Sequence, residues 1–343
     1  MRRNICLVVL ILFILSISVF AGCSVPVNQG NPQALHSFQK EHAPSQVVKT
    51  ENRWVMLNST YAGIDYTISI GETPELTNTV YTANDVSIWY FEANNQAAVW
   101  CEKTDGFNTF KVHVFETQTT DTVAQVATDA GFQPQNVGIF LDVVYYCAID
   151  YAQETVRVLA YDLETKTTTE FYTTTFSEDR QPHTIHLDNE YLSFACSDQV
   201  KVFHLESKEV VFDSALPEDT EYVFGVSYDS KNNTCALYYA DSDSEDIGIL
   251  KSGEENIRSI FTFSKNHYAY QDKLECYDGH VYWIAQANVS GNVSDHYTLV
   301  DYNYLTHKAV ETGRSFDFYR GEDAVYILRF NKDGEYTHID LCR

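Results

Sequence analysis

The chain contains few residues of the types that disrupt regular structure. Of its 343 residues, only 7 are proline and 2 are methionine, and so few prolines argue against a disordered or fibrous chain. Basic residues are also scarce: 23 lysines and arginines stand against 48 acidic residues, for a formal net charge of −25. This charge favours solubility and is compatible with cationic peptides or metal ions as partners. It repels nucleic acids and anionic lipid headgroups, so the folded part is expected to bind neither.

The sequence motifs of common catalytic and metal sites are missing as well. There is no CxxC, HExxH, GxSxG or glycine-rich phosphate loop. His183 and His186 are three residues apart, so on a strand they face opposite ways and do not predict a metal site. The acidic segment 241–246 could hold Ca²⁺, but it lacks the EF-hand spacing and is more typical of a solvated hairpin tip. The sequence therefore predicts no cofactor and no metal.

Aromatic residues, by contrast, are abundant. Tyrosine occurs 24 times and phenylalanine 20 times, and 44% of the chain is hydrophobic. This composition favours strands over helices. The length is enough for one large domain or two ordinary ones, with a sizeable core.

The first 22 residues have the layout of a secretory signal. Arg2 and Arg3 precede an apolar run over residues 5–20, and small residues follow the run. The run is shorter than the roughly 20 residues that a membrane-spanning helix needs. We therefore predict that residues 1–22 are an export signal.

The segment Ala21-Gly22-Cys23 resembles the lipobox of bacterial lipoproteins. The resemblance implies that the Cys23 thiol receives a diacylglyceryl group and becomes the new amino terminus. Two or three acyl chains hold a protein firmly at a membrane, here at its extracytoplasmic face. Phe20 departs from the family pattern, which usually has leucine or another aliphatic residue. An ordinary cleaved signal and an uncleaved anchor are the alternatives.

The segment after Cys23 is polar and contains Pro26, Pro32 and Pro44, without a sustained apolar period. This pattern predicts a flexible tether over residues 23–48 that holds a folded domain of residues 49–343 off the membrane.

From residue 86 onward, the chain repeats itself loosely. Short apolar runs, rich in β-branched and aromatic residues, begin about 43 to 48 residues apart. The runs are 97–101, 143–149, 191–196, 235–239, 281–285 and 324–328. Their near-continuous apolarity indicates strands that are buried on both faces.

A polar turn, an alternating strand and a second hairpin follow these runs, as in residues 158–172. Four strands in roughly 46 residues is the period of a β-propeller blade. We therefore predict an all-β chain that forms a β-propeller of six blades, or seven if residues 53–85 form a blade of their own. A large two-sheet sandwich or twin β domains are the alternatives.

The last repeat, residues 315–343, supplies only three strands and would leave a flat strand edge exposed. We predict that an N-terminal strand, at 54–57 or 64–70, supplies the fourth strand and closes the ring. The layout resembles that of TolB-like and other bacterial surface propellers, with Tyr-Asp-Leu-Glu-Thr-Lys at 161–166 as an example of the recurring turn. WD dipeptides, kelch Gly-Gly pairs and sialidase Asp-boxes are missing.

Six cysteines remain after Cys6 and Cys23 are set aside. Cys101 and Cys147 occupy matching places in successive repeats, so they point the same way round the ring and do not face each other. Packed sheets also lie about 10 Å apart, beyond disulfide reach. We predict buried free thiols. A pair of Cys342 with a cysteine such as Cys276 is the most plausible exception.

Two functions fit a propeller of this kind. The first is a non-enzymatic module that binds a protein, peptide or glycan, since its many tyrosines and acids suit recognition. The second is a hydrolase or lyase with its site at the central channel, for which Asp142, Asp188 and Asp278 are the inner-strand candidates. A purely structural role is a third possibility. Carboxylates and bases clustered at the channel would favour an enzyme, and a broad aromatic face would favour binding.

Overall fold

A computed structural model describes residues 27–30, 34–39, 44–59, 65–75, 77–104, 106–127, 132–150, 152–175, 184–188, 190–196, 198–254, 256–263, 269–287, 293–321, 324–330 and 336–341. Over these ranges the secondary structure consists of strands, so the predicted all-β class is confirmed. The same ranges contain no helix of the length and apolarity needed to cross a membrane.

Antiparallel four-stranded sheets, the blades, follow one another along the chain. Two strands precede them, β1 (Val27–Gly30) and β2 (Ala34–Gln39). The strands of blades 1 to 3 are β3 (Gln46–Lys49), β4 (Trp54–Ser59), β5 (Tyr66–Gly71), β6 (Thr77–Ala83), β7 (Ser87–Ala93), β8 (Ala97–Thr104), β9 (Phe107–Val114), β10 (Thr119–Ala127), β11 (Phe132–Phe140), β12 (Val143–Asp150), β13 (Thr155–Asp162) and β14 (Thr167–Thr175). The strands of blades 4 to 6 are β15 (Thr184–Asp188), β16 (Tyr191–Cys196), β17 (Gln199–His204), β18 (Val210–Ala215), β19 (Tyr222–Asp229), β20 (Thr234–Ala240), β21 (Glu245–Lys251), β22 (Arg258–Phe263), β23 (Ala269–Tyr277), β24 (His280–Ala287), β25 (Val293–Asn303) and β26 (Lys308–Arg320).

The long strand β26 joins blade 6 to blade 7. Its first half, to Arg314, pairs with β25, and its second half, from Ser315, pairs with β27 (Val325–Phe330). Strand β28 (Tyr336–Leu341) pairs with β27 on one side and with β2 on the other. Blade 7 is therefore completed by a strand from the N-terminal end of the chain. Strand β1 adds a parallel pairing to the first half of β26, the outer strand of blade 6.

The propeller and its closure by an N-terminal strand are confirmed. The ring has seven blades, the alternative given for the case that the segment before residue 86 forms a blade of its own, because residues 46–83 form a complete blade. The predicted identity of the closing strand is wrong. The closing strand is β2, whereas the segments 54–57 and 64–70 contribute β4 and β5 to blade 1. Strands β2 and β3 also lie inside the segment 23–48, which was predicted to be a flexible tether, so the propeller begins before residue 49.

The core is divided among the contacts between successive blades. The second strand of each blade is the most apolar, and β20 is buried over its whole length, because it is covered on both faces. Outer strands such as β14 are largely exposed and rich in threonine. At the ring closure, Trp54 and Met56 of blade 1 pack against Tyr326 and Leu328 of blade 7. The Trp54 and Tyr326 rings meet edge to face, with centroids 5.8 Å apart.

A buried carboxylate fastens blade 5 to blade 6. Asp229 Oδ2 accepts hydrogen bonds from the Gly279 backbone N–H at 2.7 Å and from the Tyr304 hydroxyl at 2.8 Å. Burial alone would raise the pKa of Asp229, but these hydrogen bonds hold it below its ordinary value. Gly279 has a φ of +82°, and a Cβ there would lie 2.6 Å from Leu305 Cδ1. Glycine is therefore favoured at the position that donates this hydrogen bond to Asp229.

The described cysteines are buried free thiols, as predicted. They are Cys101, Cys147, Cys196, Cys235 and Cys276. Burial raises the pKa of both Cys101 and Cys147 to about 12, so these thiols are protonated and unreactive. Cys276 is free, contrary to the suggested disulfide, and Cys342 lies outside the described residues.

Candidate ligand channel

The first strand of each blade faces the centre of the ring, and two cavities lie between these strands. The first cavity, of about 410 Å³, opens where the inner strands end, at residues such as Asp188 and Arg320. The second, of about 370 Å³, opens where they begin, at residues such as Trp89 and Asn136. Both cavities are lined by the same four charged or titratable side chains, which we call the waist. The waist consists of Glu92, His186, Lys273 and Glu275.

Irregular backbone on two inner strands shapes the channel. In β7 the pairing register shifts between Trp89 and Glu92, and Tyr90 has a φ of +53°. Left-handed backbone is uncommon at a bulky residue inside a strand, and here it accompanies the shift in register. In β11 the register shifts around Asn136, which has a φ of +51°. The Asn136 side-chain amide donates to Thr184 Oγ1 at 2.7 Å, linking blades 3 and 4 beside the channel.

Two ion pairs cross the channel between blades that are not neighbours. His186 Nε2 of blade 4 lies 3.2 Å from Glu275 Oε2 of blade 6. Arg320 of blade 7 pairs with Asp188 of blade 4. These pairs link non-neighbouring blades across the channel, so they hold the charged side chains in fixed positions.

A third ion pair connects neighbouring blades at the same level. Lys273 Nζ of blade 6 lies 2.9 Å from Asp317 Oδ1 of blade 7. The Asp317 side chain is only 1% exposed, so its negative charge must be compensated by this lysine. Oδ1 of Asp317 also accepts the backbone N–H of Phe318 at 2.8 Å.

The ion pairs determine the protonation states in the channel. Burial alone would lower the pKa of His186, but the charge of Glu275 and its hydrogen bond raise it to about 9. Burial alone would lower the pKa of Lys273, but Asp317 and Glu92 raise it above its ordinary value. Burial raises the pKa of Asp188 to about 6, against the effect of Arg320. At neutral pH the histidine and lysine are therefore cations and Asp188 is an anion.

Glu92 differs from the other charged groups of the waist. Burial raises the pKa of Glu92 to about 7, although Lys273 and His186 pull it down. Among the described residues, no hydrogen bond or ion pair holds its carboxyl group at close range. Within the described part of the chain, Glu92 is therefore the one waist carboxyl that is partly protonated near neutral pH.

Of the three predicted inner-strand aspartates, only Asp188 lies at the channel. Asp142 is exposed in the turn between β11 and β12. The Asp278 side chain is 45% exposed and lies 3.4 Å from Lys231. Both lie past the end of an inner strand, and neither lines a channel cavity.

Sequence reasoning missed most of the channel residues. Glu92, Lys273, Glu275 and Arg320 were not singled out, and His186 was noted only as half of an improbable metal pair. The sequence pattern that could have identified them is a charged residue within the strand that precedes an apolar run. Lys-Leu-Glu-Cys at 273–276 is an example. His183 lies outside the described residues.

The acidic segment 241–246 shows no sign of a cation site. Asp241 Oδ1 accepts the backbone N–H of Ser244 at 2.7 Å, as in an ordinary hairpin turn. Asp246 Oδ1 accepts the hydroxyls of Ser259 at 2.6 Å and Thr262 at 2.5 Å. Within the described ranges, no three histidine, cysteine or acidic side chains are grouped so that they could hold a metal ion.

No protein-family model and no curated protein matches this chain. Solved structures do match. The β-propeller domain of the trilobed protease from Pyrococcus furiosus is 10% identical, with a TM-score of 0.54 over 89% of this chain and 94% of that chain. The N-terminal domain of Nup159 is 12% identical, with a TM-score of 0.51 over 92% of this chain and 98% of that chain.

TolB from Acinetobacter baumannii also matches, at 12% identity over 85% of this chain and 64% of that chain. Its TM-score of 0.42 is too low to support any further comparison. The likeness to the other two structures, at identities this low, shows the fold alone. The chain is a β-propeller, in agreement with the seven blades of the described residues.

Proposed function

We propose that the chain is a lipid-anchored binding module at the extracytoplasmic face of the membrane, and that part of a protein, peptide or glycan ligand enters the central channel. The observation that carries the proposal is the set of ion pairs across the channel, which fixes charges of both signs beside two cavities of about 410 and 370 Å³. Cavities of this size with a few fixed polar groups suit a small polar ligand or one residue of a larger one.

An enzyme is the second candidate, because carboxylates and bases cluster at the channel, as an enzyme site requires, and because Glu92 is among them. A carboxyl group with a pKa of about 7 is suited to general acid–base catalysis at neutral pH. Binding remains the better-supported function for two reasons. The other acids and bases of the waist are held in ion pairs, and the five described cysteines are buried and protonated rather than nucleophilic.

Photo-crosslinking on intact cells tests the channel as a binding site. Trp89 is 48% exposed at the second cavity, and Phe107 is 44% exposed at the start of β9, outside the lining of either cavity. We expect a photoreactive phenylalanine at position 89 to capture a ligand and the same residue at position 107 to capture none. Both changes replace an exposed aromatic side chain with another, so folding is expected to be equal.

The captured species would be identified by mass spectrometry after ultraviolet irradiation. Equal capture at positions 89 and 107 would mean that the contact is not specific to the channel. A lack of capture at position 89, with both variants folded and exported, would reject a protein, peptide or glycan that enters the channel.

Lipidation is tested at Cys23, which lies outside the described residues. We expect the N-terminal peptide of the mature protein to begin at Cys23 and to carry the mass of a diacylglyceryl group, because Ala21-Gly22-Cys23 has the lipobox pattern. We expect Cys23→Ser to move the protein from the membrane fraction to the soluble fraction. Mass spectrometry of the N-terminal peptide checks the modification, and cell fractionation of both forms checks the change of location. An unmodified thiol at the mature terminus would contradict the anchor while leaving the channel proposal untouched.

A further inference from the structure

The acids and bases around the waist do not balance. Seven titratable side chains belong to the waist or to the ion pairs at and beside it. They are the acids Glu92, Asp188, Glu275 and Asp317 and the bases His186, Lys273 and Arg320. Three acids and three bases form the three ion pairs, so Glu92 is one negative charge in excess when it is ionised.

The other elements around the channel do not remove this excess. Lys49 on β3 and Glu190 after β15 also line the first cavity, and their charges are opposite. The Lys49 ammonium lies 6.0 Å from the Trp54 ring centroid and 5.9 Å from the Tyr326 ring centroid, which are cation–π distances. Strand β11 and strand β19 contribute Gly138 and Val226, which carry no charge.

An excess charge on a partly buried group is unfavourable unless something compensates it. An empty channel can remove the charge by protonating Glu92. A ligand can remove it by bringing one positive charge. The second oxygen of Asp317, Oδ2, is also buried without a hydrogen-bond partner among the described residues, so an acceptor is unused at the same level.

We propose that the group that enters the channel is a monovalent organic cation, a protonated amine or a guanidinium, which pairs with Glu92 in place of its proton. This inference rests on the proposed binding function and names its ligand class. The exchange is balanced in charge, because one positive charge enters the waist and the Glu92 proton leaves to solvent. A lysine or arginine side chain or the amino terminus of a peptide carries such a group.

Two other ligand classes fit less well. An anion would meet three cations that are already paired, and it would add to both the Glu92 charge and the net charge of −25. A metal ion would need several carboxylate, imidazole or thiolate ligands at one point, and no such group exists in the described part of the chain. Cavities of about 400 Å³ also exceed what a single ion needs.

Calorimetric titration of the full-length protein tests the inference. The probes are n-butylammonium, n-butanol and n-butyrate, which differ chiefly in charge. We expect only n-butylammonium to bind. Because it competes with the proton of Glu92, whose pKa is about 7, its apparent affinity should rise about tenfold from pH 6 to pH 8. Measurements in buffers of different ionisation enthalpy should show proton release at pH 6 and almost none at pH 8.

The variants are Glu92→Gln and, as a matched control, Glu164→Gln, which removes an exposed carboxylate outside the lining of both cavities. Glu92→Gln should abolish binding and its pH dependence, and Glu164→Gln should change the affinity less than about twofold. Tighter binding of n-butanol or n-butyrate, or unchanged binding in Glu92→Gln, would overturn the inference. If Glu92→Gln fails to fold, the unmodified protein still tests the inference: n-butylammonium binding at pH 6 without proton release would overturn it.

The two proposals can fail separately. Capture of a ligand by the photoreactive residue at position 89, together with no binding of n-butylammonium, would reject the cation and retain the binding channel. Binding of n-butylammonium without cellular capture at position 89 would support the cation site and reject a macromolecular ligand.

Discussion

Proline at both Ser37 and Phe38 should open the ring and lower its melting temperature by at least about 10 °C. These positions lie in the middle of β2 and pair with His338 and Thr337 of β28. Proline lacks an N–H and costs about 3 kcal/mol or more in a regular element. Two adjacent prolines remove a ladder hydrogen bond whichever of the two residues faces β28. Blade 7 would then have three strands and an unpaired edge, which also promotes aggregation.

The double alanine variant at Ser37 and Phe38 is the control, because it removes the same side chains and keeps both backbone N–H groups. Thermal unfolding followed by circular dichroism, with light scattering for aggregation, measures both variants. If the double proline variant has the same melting temperature as the double alanine variant, β2 does not close the ring. A large loss for proline alone would establish that the backbone pairing of β2 with β28 holds blades 1 and 7 together.

Lys273→Met should lower the free energy of unfolding by about 3–5 kcal/mol, because it leaves the buried Asp317 carboxylate without its cation. Methionine has a similar shape, so little packing is lost. The second change Asp317→Asn should restore most of the stability, because the remaining oxygen can still accept the Phe318 N–H. Urea denaturation at pH 7.5 of the single and double variants measures both effects.

The matched control is Lys166→Met. Lys166 lies 3.0 Å from Asp121, nearly the same distance as in the buried pair, but its side chain is 60% exposed. Loss of such a solvent-exposed pair should lower the free energy of unfolding much less than loss of the buried pair. Equal effects at Lys273 and Lys166 would mean that Asp317 is compensated by something other than Lys273.

The repeat in the sequence predicted the second strands well. The apolar runs at 143–149 and 235–239, for example, coincide with β12 and β20. This success has a physical cause: a strand buried on both faces must be apolar throughout, so its pattern does not depend on fine register. The run at 54–57 lies about 43 residues before the run at 97–101, and this spacing could have given the seventh blade.

The closing strand was harder to predict, because polar residues and Pro32 surround β2 and its partner β28 is about 300 residues away. Nothing local to residues 34–39 indicates a strand. Pairing at a ring closure is decided by the whole circle of blades, which must present a free edge at the right place.

The channel residues depend on features that sequence patterns do not fix. The bulge between Trp89 and Glu92 changes which side chains of β7 face the channel, and a one-residue shift reverses every side chain of a strand. The pair of His186 with Glu275 joins residues that are far apart in the chain and in non-neighbouring blades. Only Asp188 was identified in advance.

The position of β1 has a consequence for how a lipidated protein would stand on its membrane. Only residues 24–26 separate Cys23 from Val27, the first residue paired to the outer strand of blade 6. Four residue steps reach at most roughly 14 Å. An acylated Cys23 would therefore keep the outer strand of blade 6, on the rim of the propeller, within about 14 Å of the lipid surface, however the rest of the ring is tilted.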